Sequence, residues 1–261
     1  LNAVINSGLT PFICPIKSND FSIDLSKIPN HILAETAAIC VVHLYGSVVD
    51  MNEIIDLKKK FNFYIVEDCA EALGSKINNL RVGTFGDFSA FSFFGNKLIT
   101  TGEGGMILCK DEGLFEYFNL IKNHGMCKDK KYWHEAVGTN ARMTNIQAAI
   151  GLGQLENLDA VVKKKREIHN TYFEKLSRLQ DRLIMWHEST KVKSSYWLNT
   201  INVLEARHIN KIFQNGKKRN IDFRRCFYPM HSLPAFKKYA NKDINYSESC
   251  LLFDKLICLP S

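Results

Sequence analysis

No Cys-x-x-Cys pair occurs among the eight cysteines of this 261-residue chain, which argues against a zinc ribbon or a disulfide framework. Cys40 and Cys109 instead sit inside the apolar runs AAICVV and GMILC, so reduced, partly buried thiols are expected, as in a cytoplasmic protein. No apolar stretch is long enough to span a membrane, and no signal peptide opens the chain. Internal repeats and low-complexity segments are missing as well. The formal charge of +7 suits an anionic partner such as a nucleotide, yet no basic stripe with interleaved aromatics is present, which argues against a nucleic-acid groove. The one dense basic run, Lys163-Lys164-Lys165-Arg166, is expected to be a solvated helix face. What is there is a hydrophobic share of 46%, ordinary for a globular protein and enough to build a substantial core.

The termini lack polar tapers. NAVINSG follows Leu1 directly into apparent structure, and the last residues are ICLPS, so a chain cut short at both ends is expected.

Between those ends the pattern up to about residue 110 alternates short apolar runs with amphipathic ones. PFICPI and AAICVVHLY read as buried strands, DMNEIIDLKKKFN puts Met51, Ile54, Leu57 and Phe61 on one helical side, and FYIVEDCA is a further buried strand ending in carboxylates. FSAFSFF and GMILC supply two more strands. Continuous apolar strands alternating with helices predict an α/β fold, a mostly parallel sheet covered on both sides. From Thr144, a candidate N-cap, helical periodicity runs for more than three dozen residues, predicting one long helix that bridges two domains or kinks around Gly151 and Gly153. YWLNTINVL, ARHINKIFQNGKKRN and FRRCFYPMH then read as strand, helix and strand of a smaller α+β unit.

Two residues carry most of the chemical signal. Asp68 follows an apolar run at the carboxyl end of a strand, where open α/β sheets collect ligands; a helix cap or a core ion pair is the alternative. Lys97 lies in FSFFGNKLITTGEGG, between aromatic residues and a glycine turn. An apolar pocket there would favour the neutral amine and its condensation with an aldehyde, whereas an exposed lysine on a tight turn would do nothing. Ser92, between Phe91 and Phe93, could face the same pocket. An aspartate at a strand end with such a lysine suggests pyridoxal phosphate as one option among several, since its ring nitrogen wants a carboxylate and its aldehyde an amine. No metal is expected.

VEDCAEALGS, GTFGDFSAFSFFGNKLITTGEGGMI, NHGM and GTNARMTNIQAAIGLGQLENLD resemble the DegT/DnrJ/StrS sugar aminotransferases, a family of fold type I pyridoxal phosphate enzymes; SGLTPFICPI, VVHLYGSVVDMNEI and FRRCFYPMHSLPAF extend the resemblance over essentially the whole chain. It implies a large cofactor-binding domain over residues 1–155 and a small C-terminal domain over 156–261. It also implies roles: Lys97 as the lysine that bonds the cofactor aldehyde, Asp68 under the ring nitrogen, Ala70 packed on the ring, Glu71 near the phenolic oxygen and Ser92 on the phosphate. Asn140 would reach the cofactor phosphate of a neighbouring subunit, making the site dimeric, and Arg224 and His231 fall in the sugar-nucleotide region. A dehydratase branch of the family has histidine at the lysine position; Lys97 therefore favours transamination. SFFGNKLITTGEGGM, YWHEAVG and ARMTNIQAAIGL are most similar to the branch that makes GDP-perosamine, implying amino transfer from glutamate to the C4 ketone of GDP-4-keto-6-deoxymannose and a place in lipopolysaccharide O-antigen synthesis.

Three departures qualify that expectation. The family's GYNYR is Gly138-Thr139-Asn140-Ala141-Arg142 here, and Glu71 replaces the usual glutamine, adding a carboxylate beside the cofactor. No Gly-Thr or Gly-Ser phosphate turn precedes the strands read above. Two other readings stay open: a shortened, inactive relative serving as an interaction subunit, and an aminotransferase of UDP- or dTDP-linked keto sugars.

Overall fold

The computed structural model of the protein describes residues 1–17 and 20–261. In the first half, strands β1 (Ala38–Val42), β2 (Tyr64–Asp68), β3 (Phe88–Ser92) and β4 (Gly105–Cys109) lie side by side in that order. The first three run parallel, and β4 pairs antiparallel with β3 at the sheet edge. Helix α1 (Met51–Phe61) makes the crossover from β1 to β2; Asp50 caps its start by accepting the Asn52 N–H, and Asn62 ends it in the left-handed region at φ 54°. Met51 and Ile54 of α1 are fully buried against Ile39, Val41 and Ile65 of the sheet, with Leu57 and Phe61 partly buried beside them. The apolar side read from the sequence is the side that packs.

PFICPI is not a strand. Only Ile16 makes a bridge, to Ile23. Pro11 and Pro15 carry no N–H for a ladder, which removes donors at the places a strand needs them. The sheet is also not covered on both sides by the described residues: Val42, Tyr64, Met106 and Leu108 are exposed.

The expected long helix is two. After α2 (Glu112–Ile121), helix α3 (Asn145–Leu155) opens with a capping box in which Thr144 and Gln147 satisfy each other's backbone N–H groups. A break at Glu156 and Asn157 separates it from α4 (Leu158–Leu176). The glycines are not the break. A Cβ on Gly151 would stand 2.9 Å from the Thr101 methyl, so that residue is small to let α3 close on the glycine turn. The basic run on α4 is only partly solvated: Lys163 and Lys164 are exposed, whereas Arg166 is half-buried, donating to both carboxylate oxygens of Glu188 and to the Ser194 carbonyl.

Four antiparallel strands build the second sheet: β5 (Leu183–Met185), β6 (Asn199–Val203), β7 (Arg224–Arg225) and β8 (Leu256–Leu259), ordered β7-β8-β6-β5. Strand β8 is central and buried along its whole length. Helix α5 (Ile209–Lys218) packs on this sheet through Ile209, Ile212 and Phe213. The halves are stitched together at Gly46, whose carbonyl accepts the hydroxyls of both Ser75 (3.0 Å) and Ser194 (2.8 Å). Gly46 has φ +94°, and a Cβ there would lie 2.8 Å from the Tyr196 nitrogen. Backbone strain and this clash together predict that Gly46→Ala lowers stability by about 2 kcal/mol, read as a reduced urea midpoint.

Candidate active site

The carboxyl ends of β2 and β3 deliver the two residues singled out from the sequence. Asp68 closes β2, where its Oδ1 accepts the Ala70 N–H at 3.1 Å. Nothing among the described residues donates to its other oxygen. Ser92 closes β3, and its hydroxyl accepts the Phe94 N–H at 3.3 Å. The turn from Phe93 to Thr101 then carries Lys97.

That turn is fixed from three directions. The Thr101 N–H donates to the Phe93 carbonyl and the Lys97 N–H to the Phe94 carbonyl. Gln154 of α3 grips Thr100 through both backbone groups, donating to its carbonyl at 2.6 Å and accepting its N–H at 3.1 Å. Trp197, at the entry to β6, donates its indole N–H to the Asn96 carbonyl at 2.8 Å. A lysine on a loop so held presents its amine from a fixed position.

The amine itself lies among aromatic and acidic groups. The Lys97 side chain is 14% exposed, its Nζ 4.1 Å from the centre of the Trp197 ring and 3.8 Å from Glu71 Oε1. Burial pushes its pKa down; Glu71 and then Asp68 pull the other way, and the Arg224 charge adds to the lowering. Burial pushes Glu71 up, against the Tyr45 N–H that it accepts at 2.9 Å and against the Lys97 charge. Tyr45 stacks on Phe227 with ring centres 5.6 Å apart, and the Arg224 guanidinium lies 5.2 Å from the Phe227 ring and 5.9 Å from that of Trp197. Of the expected site residues, Lys97, Asp68, Ala70, Glu71, Ser92 and Arg224 therefore belong to one region, while two others stand apart. Asn140 is exposed and accepts the backbone and Nε hydrogens of Arg142. His231 stacks on Tyr246 with centres 4.2 Å apart and has Cys250 Sγ at 3.4 Å.

Trp197, Tyr45 and Gln154 were missed by the sequence reading. Each is distant from Lys97 along the chain: Tyr45 lies in HLYG, Trp197 in SSYWL and Gln154 in GLGQL, with no spacing rule to join them.

Next to Asp68, but on the opposite face of β2, Glu67 is fully buried with His43 and Cys69. The trio has the donor types of a metal site, yet its atoms are committed. Glu67 Oε2 accepts from His43 Nε2 (3.1 Å) and the Gly83 N–H (2.8 Å), and Oε1 accepts from the Phe85 (2.7 Å) and Gly86 (2.6 Å) N–H groups. His43 Nδ1 accepts the Val49 N–H at 3.2 Å, which leaves the ring proton on Nε2. This carboxylate is structural: it gathers the 83–86 loop that leads into β3.

Against known proteins, the GDP-perosamine synthase of Escherichia coli O157:H7 is 40% identical over 242 residues, covering 93% of this chain and 66% of that protein. Among solved structures, the Helicobacter pylori aminotransferase PseC, involved in the biosynthesis of pseudoaminic acid, superposes with a TM-score of 0.91 at 30% identity, covering 99% of this chain and 70% of that one. The Streptococcus pneumoniae protein Spr1654, solved in its PLP form, gives a TM-score of 0.90 at 26% identity over 99% of this chain and 72% of that one. The chain thus spans about two thirds of the length of the curated relatives it matches. With its family model matched from residue 1 to residue 261, the chain belongs to the DegT/DnrJ/EryC1/StrS aminotransferase family.

Proposed function

We propose that this protein is a pyridoxal phosphate-dependent aminotransferase that moves the amino group of glutamate to the C4 ketone of a nucleotide-linked 4-keto-6-deoxyhexose, GDP-4-keto-6-deoxymannose in the first instance. The observation that carries the reading is Lys97 Nζ, shielded by Trp197 and 3.8 Å from Glu71, in a chain 40% identical to a GDP-perosamine synthase.

The residues present fit the cofactor. Asp68 keeps one carboxylate oxygen without a donor among the described residues, as a ring N–H requires, and Lys97 offers a partly desolvated amine. Pyridoxal phosphate supplies, when bound, an aldehyde for amine exchange and a protonated ring that takes up electrons from the carbon being deprotonated. Asp68 would keep that ring nitrogen protonated, Ser92 would hold the phosphate, Ala70 would pack on the ring and Glu71 would lie near the phenolic oxygen. Lys97 would hold the aldehyde, and its amine would carry the proton to and from the reacting carbon of donor and sugar. Arg224, beside Trp197, and His231 are assigned to the anionic sugar nucleotide. The exposure of Asn140 suits a residue that serves a neighbouring subunit, so the active form is read as a homodimer with shared sites. The large domain is taken as residues 1–155 and the small one as 156–261. No helix among the described residues is long and apolar enough to cross a membrane, and the proposed setting is the cytoplasm.

The test is incubation with pyridoxal phosphate, glutamate and GDP-4-keto-6-deoxymannose, followed by mass. A glutamate-dependent product with an amine in place of the keto oxygen is expected. Unchanged keto sugar with cofactor bound overturns the substrate; a folded protein that takes up no cofactor overturns the whole reading.

A further inference from the structure

Family resemblance places Glu71 where a glutamine is usual, and a glutamine in that position cannot ionise. The geometry around Glu71 gives that difference a use. Its two oxygens are committed differently: Oε2 accepts the Tyr45 N–H at 2.9 Å, while Oε1 faces Lys97 Nζ at 3.8 Å. The Glu71 side chain is 11% exposed and that of Lys97 14%, so solvent is a poor proton source for either.

We propose that Glu71 is the proton partner of Lys97: Oε1 takes the Nζ proton as the amine is readied for the cofactor and returns it when the amine is set free. The transfer breaks one N–H bond and makes one O–H bond, converting ammonium and carboxylate to amine and carboxylic acid with no change in electron count. It needs the pair to close from 3.8 Å to hydrogen-bond distance, a small swing of two flexible side chains. This role rests on the aminotransferase reading for its purpose, although the pair itself does not.

The surroundings move the two proton affinities toward each other. Burial raises Glu71 and lowers Lys97, so the two approach each other. Three other groups face the pair. Asp68 opposes ionisation of Glu71 and favours the Lys97 charge; Arg224, brought in by β7, does the reverse; the Tyr45 N–H favours the Glu71 carboxylate. Among the described residues no other carboxylate pairs with Lys97 Nζ. Trp197 adds a ring face that attracts the ammonium but can hold no proton.

Glu71→Gln separates charge from shape, since a glutamine oxygen can still accept the Tyr45 N–H. The purified full chain, stripped of cofactor, is labelled with limiting acetic anhydride from pH 6 to 11, and modification of Lys97 is read by peptide mass. Loss of the carboxylate should lower the midpoint of Lys97 labelling by about one unit, a rise of about tenfold in its rate at pH 7. The reciprocal measurement is the Glu71 carboxyl titration by carbon NMR in wild type and in Lys97→Met, where the midpoint should rise by the same amount because the coupling is mutual. A Lys97 curve unchanged in Glu71→Gln overturns the pair, and so does a Glu71 titration indifferent to Lys97; the second experiment decides if the first variant does not fold. Both readouts are independent of turnover. A protein that transaminates but shows no coupling loses this inference alone, and one that shows the coupling but binds no cofactor loses the functional reading alone.

Discussion

Lys97→Ala is expected to reduce glutamate-dependent amination by about 10⁴-fold while the fold survives. The side chain acts twice in the proposed chemistry, as the group that holds the aldehyde and as the base that moves the proton, and no neighbour can substitute. Asp68 and Glu71 have no amine to hold an aldehyde, Arg224 does not deprotonate, and Trp197 has only an N–H that is already given to Asn96. Lys97→Arg should fare little better, because guanidinium keeps the charge and the contact with the Trp197 ring but has no free amine. The measurement is product formation by mass under saturating glutamate, beside circular dichroism of each variant. Activity within tenfold of wild type in Lys97→Ala would remove this lysine from the centre of the reaction.

The largest effect on stability is expected at Glu67, one residue before Asp68. Glu67→Ala leaves His43 Nε2, fully buried, and the N–H groups of Gly83, Phe85 and Gly86 without their acceptor. Breaking such a set costs about 4 kcal/mol, enough to threaten folding of an ordinary domain. Burial alone would raise the Glu67 pKa, but the His43 hydrogen bond and the Gly86 and Gly83 N–H groups together hold it below the usual 4.5. Because the folded value is the depressed one, the contribution is complete above the unfolded value and is lost as the pH falls through the folded one. The gap in denaturation midpoint between wild type and Glu67→Ala should therefore be full at pH 7 and narrow below about pH 4.5. A gap that stays constant into acid would show that Glu67 acts through its shape alone.

The adjacent pair Glu67 and Asp68 marks the boundary of what the sequence makes legible. In a strand, neighbours point to opposite faces, so VED places one carboxylate inward and the other at the ligand end. Asp68 is legible from its position after an apolar run, and Lys97 from the aromatic strand and glycine turn around it. Glu67 is not, because nothing local announces that His43 and an 83–86 loop will saturate it. Helix α1 was legible for the reason that its packing is local, with four apolar residues at helical spacing. The helix break at Glu156 and Asn157 was not, since ordinary helix formers flank it and the glycines nearby attract attention for another reason. PFICPI misled because its apolar residues are real but its prolines forbid the ladder. Arg224 was legible through the family resemblance and Trp197 only as a member of a second unit, since which face of the lysine they cover is decided by how the two sheets meet.

That last contact gives the site an order in time. Asp68, Glu71 and Lys97 leave the ribosome about a hundred residues before Trp197, whose indole fixes the carbonyl next to the lysine. A nascent first half can pair its parallel strands as it emerges, but its lysine then has neither the aromatic wall nor the clamp, and it behaves as any solvated lysine. The full setting of the amine is thereby withheld until the second sheet has been made and has met the first.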